Sequence, residues 1–108
     1  MNTITTEKQF REVTRQSSPV VVKFYTNRCP DCRRMDAFMP SVLEELNHVP
    51  FYELNKDSLP DIGEQEGVMG IPSLLVYQHG EKLAHLHSAH AKTPEEVIAF
   101  LSAYYSKS

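Results

Sequence analysis

Val20-Val21-Val22-Lys23-Phe24-Tyr25 runs, after three intervening residues, into Cys29-Pro30-Asp31-Cys32. The first stretch is β-branched and aromatic, the composition of a strand buried on both faces. The second opens a helix, with Pro30 in the first turn, where its missing backbone N–H costs nothing. The chain's two cysteines therefore stand at a strand-to-helix junction with two residues between them. That spacing lets them close into a small disulfide ring and reopen by attack of a thiolate. On the residues alone, three readings stay open: a redox pair, half of a metal site, or two inert thiols.

Working outward, Met35, Phe38, Met39, Val42, Leu43 and Leu46 give the helix an apolar stripe, and Pro40 is expected to kink it. Upstream, Thr6-Glu7-Lys8-Gln9 reads as a capping box opening a helix that buries Phe10 and Val13 and ends near Ser17-Ser18-Pro19. Phe51 to Leu54 is a second strand, and Asp61 to Gln65 a short helix closed by Gly67. Ser73 to Tyr77 and Lys82 to Leu86 flank His79-Gly80, a hairpin signature. Thr93-Pro94-Glu95-Glu96 combines a cap, a proline at the first helical position and a glutamate at the third. Its helix buries Val97, Ile98, Leu101 and either Tyr104 or Tyr105. A strand at Asn2 to Thr5 is only weakly signalled. The order of elements predicts an α/β fold, a mixed sheet of four to five strands with helices on both faces.

At 108 residues the chain is expected to form one domain, 1–108, with a core of its own. A formal charge of −3 gives no reason to expect nucleic acid or an anionic membrane as partner. The apolar runs around Val20 and Leu74 are too short to span a bilayer. Met1 to Arg15 lacks the apolar core of an export signal, so a cytoplasmic location is the expectation. Two cysteines do not make a secreted disulfide scaffold.

With these motifs placed, the chain resembles the thioredoxin superfamily from about Val20 to Leu101. The resemblance rests on Val22-Lys23-Phe24-Tyr25 leading into Cys29-x-x-Cys32, on Glu53-Leu54-Asn55-Lys56-Asp57, and on Gly70-Ile71-Pro72-Ser73 before the hairpin. It implies a thioredoxin-like fold and a thiol–disulfide oxidoreductase that reduces protein disulfides and is recharged by a thiol or reductase electron donor. It also implies a monomer whose only redox group is the Cys29–Cys32 disulfide, with no metal and no other cofactor.

Residue by residue, the resemblance makes Cys29 the nucleophile, its thiolate favoured by the helix N-terminus. Cys32 becomes the resolving thiol. Pro72 matches the family's cis-proline, and the backbone of Ile71 would pair with an extended substrate. Departures are informative. Lys23 and Glu53 interrupt buried strands where typical thioredoxins carry an aspartate and a lysine, in that order. The charges are exchanged, so a Lys23–Glu53 pair is expected beneath Cys32, taking over the family aspartate's handling of the resolving thiol's proton. Arg28 stands where thioredoxins carry a tryptophan, of which the chain has none, and is a candidate substrate contact. Arg28, Arg33 and Arg34 add positive potential at Cys29, while Asp31, inside the motif, opposes it and is expected to disfavour the thiolate unless Arg28 offsets it. His90 aligns roughly with a glycine that borders the family's substrate groove, and is a candidate substrate contact. Asp36 and Asp61 read as surface residues, and His85, His87 and His90 as a polar loop.

Alternatives belong to other classes. A glutaredoxin-like enzyme would reduce mixed disulfides of a low-molecular-weight thiol, but the second glycine-pair motif that glutaredoxins use to hold it is absent. Cys29, Cys32, His87 and His90 have spacings compatible with a Cys2His2 zinc site. A non-catalytic adaptor using the same groove is the third.

Overall fold

A computed structural model describes residues 2–108. Its elements are β1 (Asn2–Ile4), α1 (Glu7–Thr14), β2 (Val20–Tyr25), α2 (Pro30–Glu45), β3 (Phe51–Asn55), α3 (Pro60–Gln65), β4 (Ser73–Gln78), β5 (Glu81–Leu86) and α4 (Pro94–Leu101). A single turn of 3-10 helix, Ser88–His90, precedes α4.

The strands form one sheet in the order β1-β3-β2-β4-β5. β3 runs parallel to both β1 and β2, whereas β4 runs antiparallel to β2 and to β5. β2 is thus flanked on both edges, which its unbroken apolar composition requires. Val20, Val22 and Phe24 pack with Phe10 and Val13 of α1 and Ile62 of α3 on one face. Val21 packs on the other face with Met35, Met39 and Val42 of α2 and Val97 and Leu101 of α4. Lys23 shares that second face by alternation and is fully buried. The weak N-terminal signal is a real strand because Ile4, 2% exposed, closes the core beyond β3.

Local chemistry sets the boundaries. Thr6 caps α1 by accepting from the Gln9 N–H at 3.1 Å, while the Gln9 side chain accepts from Thr5 rather than Thr6. α2 continues as helix through Pro40. His79 and Gly80 both take positive φ, 55° and 79°, as a two-residue hairpin twisted like its strands demands. Thr93 and Glu96 complete the reciprocal capping box of α4. Tyr105, rather than Tyr104, is the buried aromatic, and its hydroxyl donates to the Pro19 carbonyl at 2.7 Å.

Candidate active site

Cys29 is the N-cap of α2, and its Sγ accepts from the Cys32 N–H at 3.1 Å. The two cysteines form a disulfide, Cys29 7% and Cys32 2% exposed. The strand β2 aims the chain at this point and Pro30 starts the helix, so the sulfurs sit at the end of the sheet. Across from them the Ile71-Pro72 peptide is cis. The Ile71 carbonyl oxygen lies 3.9 Å from Cys29 Sγ. Gly70 is held by Ser73, whose hydroxyl donates to the Gly70 carbonyl at 2.6 Å. A Cβ on Gly70 would come within 2.4 Å of Ser88 Oγ, so the Ser88 side chain packs close over the loop there. Beside Ile71 a cleft of about 370 Å³ is lined by Thr26, Lys56, Asp57, Glu64 and Met69. Met69 is 90% exposed.

Beneath the disulfide lies the exchanged charge pair. Lys23 Nζ donates to the Cys32 carbonyl at 3.3 Å and stands 3.7 Å from Glu53 Oε2. It also forms an ion pair with Asp36 and lies 5.5 Å from the centre of the Tyr25 ring. The Lys23–Glu53 juxtaposition expected from sequence is present, with a second carboxylate added. Asp36 was expected to be a plain surface residue. Its side chain is half-exposed, yet it reaches under the helix to the ammonium. Asp36 lies four residues after Cys32, so helical spacing alone places it on the cysteine's face. Burial, then the Glu53 and Asp36 carboxylates, raises the pKa of the Tyr25 hydroxyl.

Asp31 is compensated, but not by Arg28. Lys92 Nζ donates to its Oδ2 at 2.6 Å, and Arg34 donates to its Oδ1 at 3.1 Å. The Lys92 hydrogen bond and charge, with the weaker Arg34 field, hold the Asp31 carboxyl below the usual carboxylate range. Arg28, the offsetting cation expected from sequence, forms no ion pair or hydrogen bond among the described residues. Lys92 carried no signal in the sequence, since it lies 61 residues from its partner. Its position comes from α4: the Glu96 carboxylate accepts from the backbone N–H groups of Lys92 and Thr93 at 2.9 and 3.0 Å.

The histidines divide. His90 is exposed, and its described hydrogen bond is its backbone N–H to the His87 carbonyl at 2.9 Å. His85 and His87 stack with ring centres 3.8 Å apart, so they are not a simple solvated loop. Burial, then the charges of His87 and Lys82, pushes the His85 pKa down to about 4. Among the described residues no group of three or more His, Cys, Asp or Glu side chains is placed to hold a metal ion. Nor, among the described residues, is any helix long and apolar enough to cross a membrane.

The thioredoxin family model matches residues 1–103. Thioredoxin-1 of Saccharomyces cerevisiae is 28% identical over 94 residues, covering 87% of this chain and 91% of that protein. Glutaredoxin 3 of Danio rerio is 30% identical over 86 residues, which is 78% of this chain but 26% of that longer protein. Among solved structures, thioredoxin of Malassezia sympodialis superposes with a TM-score of 0.83 at 21% identity, covering 95% of this chain and 91% of that one. The oxidised thioredoxin of Plasmodium falciparum also gives 0.83, at 19% identity over 98% of this chain and 99% of that one. A cysteine pair in disulfide linkage at a helix N-terminus, within this fold and under this family match, is the equipment of disulfide exchange; the chain belongs to the thioredoxin family and is a thiol–disulfide oxidoreductase of protein disulfides.

Proposed function

We propose that the reduced protein attacks a substrate disulfide with the Cys29 thiolate and releases it with Cys32. Cys29–substrate mixed disulfide forms as one substrate sulfur leaves and takes a proton. Cys32 then attacks Cys29, the second substrate sulfur leaves, and the internal disulfide remains. Two electrons pass from the dithiol to the substrate, and an external dithiol or reductase restores the cysteines. The observation that carries this is the placement of Cys29 Sγ at the N-cap of α2 and 3.9 Å from the Ile71 carbonyl. Unpaired N–H groups there favour a thiolate. An extended substrate would add to the Ile71 backbone as a strand does.

In this scheme Lys23, with Asp36 and Glu53, sets the charge under the resolving thiol. An ammonium at the Cys32 carbonyl favours the Cys32 thiolate by Coulomb attraction, and the carboxylates temper it. Glu53→Gln and Lys23→Met are expected to move the pH profile of mixed-disulfide release in opposite directions. Unmoved profiles in both would reduce the cluster to a structural role.

The primary experiment is dithiothreitol-driven reduction of insulin by the wild type and by Cys29→Ser. Acceleration lost in the variant is expected; equal rates would remove Cys29 as nucleophile. A monomer in a reducing compartment such as the cytoplasm completes the proposal. The compartment is supported by the confinement of both cysteines to the redox pair, none being spent on a structural bridge. Sedimentation and cell fractionation test those two points.

A further inference from the structure

The charges around the disulfide are not those of the chain as a whole. The protein carries a formal −3, yet the residues bordering the cysteine pair are mostly cationic. Arg28 immediately precedes Cys29 and is exposed, without an ionic partner among the described residues. Arg33, also exposed, folds back so that its guanidinium donates to the Asn27 carbonyl at 3.0 Å, bringing its charge to the loop that carries Arg28. Arg34 and Lys92 add two more cations, with side chains 63% and 43% exposed.

Asp31 is the one carboxylate within the motif, and it is shared between Arg34 and Lys92. Glu96, in the first turn of α4 beside Lys92, is occupied by the backbone N–H groups of Lys92 and Thr93 and by the Thr93 hydroxyl. Asp36 and Glu53 face Lys23 from below. The cleft beside Ile71 mixes Lys56 with Asp57 and Glu64. Flanking the cysteine motif, the cations with no carboxylate partner among the described residues are therefore Arg28 and Arg33.

Resting on the exchange chemistry above, we propose that the substrate is a disulfide with an anionic group beside the sulfur that Cys29 attacks, received by Arg28 and Arg33. Two sources share that chemistry: an acidic segment of a protein, and a small disulfide carrying carboxylates. A guanidinium offers a planar pair of donors that match a carboxylate. A local positive field in a negatively charged chain raises encounter with anions and slows encounter with cations. It also explains why Asp31 needs Lys92: unpaired, it would repel the group the arginines attract.

The test is single-turnover reduction of three disulfide peptides by the pre-reduced full chain, at low and at high salt. The peptides are identical except for flanking glutamates, glutamines or lysines. Oxidised glutathione, a small anionic disulfide, is the fourth substrate. The glutamate peptide is expected to react about ten-fold or more faster than the lysine peptide at low salt, converging as salt screens the field. Arg28→Gln/Arg33→Gln is expected to abolish the preference, and Arg28→Lys to retain part of it. Lys8→Gln, a charge change on exposed α1, is expected to leave it intact. A preference confined to the peptide assigns a protein segment, and one shared with oxidised glutathione assigns the wider class. Equal rates for the charged peptides, or a preference that survives the double substitution, overturn the proposal. Failure to reduce the glutamine peptide at all would instead overturn the exchange reaction on which it rests.

Discussion

The buried Lys23 cluster makes a directional prediction about stability. Lys23 is fully buried, while its carboxylate partners are not: the Glu53 side chain is 17% exposed and the Asp36 side chain 51%. Removing the lysine leaves two groups that water can reach. Removing both carboxylates, by Asp36→Asn with Glu53→Gln, leaves an ammonium sealed under α2 with the Cys32 carbonyl and the Tyr25 ring for company. The Glu53 charge 3.7 Å away is worth about 4.5 kcal/mol at an effective dielectric near 20. Stripping a buried charge of its partner typically costs about 3–5 kcal/mol. A ceiling exists, because an isolated lysine can escape by losing its proton, which at pH 7 costs about 4.6 kcal/mol from its ordinary value.

The double substitution is therefore expected to cost about 3 kcal/mol, moving the urea midpoint down by about 1.5 M for a slope near 2 kcal/mol/M. Lys23→Met, by contrast, exchanges a charge for an unbranched apolar chain of similar reach and is expected to stay within about 1 kcal/mol of wild type. Combining all three substitutions is expected to restore most of the loss. Equilibrium urea unfolding with the disulfide kept oxidised is the assay, since mixed redox states would break two-state behaviour. A double carboxylate variant that unfolds within 1 kcal/mol of wild type, or a Lys23→Met protein as damaged as it, would refute the reasoning.

Other expectations are as specific. Gly70→Ala places a Cβ within 2.4 Å of Ser88 Oγ, the end of a side chain that can rotate aside; a loss of less than about 1 kcal/mol by thermal unfolding is expected, and a larger loss that Ser88→Ala does not reverse would show that the loop backbone itself resists a Cβ. His85 is held neutral, its pKa pushed down to about 4, whereas an unfolded histidine protonates near 6.5. Its contribution is thus complete above pH 6.5 and is lost as pH falls toward 4, so His85→Gln should flatten that part of the Tm-against-pH curve relative to wild type. Asp31→Asn is expected to lower the Cys29 pKa and Lys92→Gln to raise it, read by thiolate absorbance; shifts of the same sign in both would break the compensation argument. Thr93→Ala removes the α4 cap and should cost about 1 kcal/mol by thermal unfolding.

Most of the fold was legible because its signals are local. A β-branched run, a proline at the first turn of α2, and His79-Gly80 between strands each report on the few residues around them. Even the cis peptide before Pro72 was reached through a short motif, though by resemblance rather than by sterics. Where the reading fell short, the missing information was spatial. The second strand partner of β3 has only three residues, too few for a period to show. Asp36 read as surface because half of it is surface, and helical spacing from Cys32 was the overlooked sign of its inward reach.

The sign of the motif's electrostatics illustrates the deeper reason. Coulomb interactions depend on distance in space, so the effect of Asp31 on the thiol cannot be read from its neighbours in the chain. Arg28 is adjacent in sequence and was the natural candidate to offset it, yet the hydrogen bonds to Asp31 come from Arg34 and from Lys92, 61 residues away. Lys92 is delivered by a device that was legible, the Thr93–Glu96 capping box, whose glutamate also accepts from the Lys92 backbone. The cap fixes the start of α4, α4 packs on α2 through Val97 and Leu101, and α2 carries the cysteines. A helix-capping motif in the last part of the chain thereby sets the charge beside a nucleophile in the first third. Arg28, released from compensating Asp31, keeps its own charge for whatever approaches Cys29.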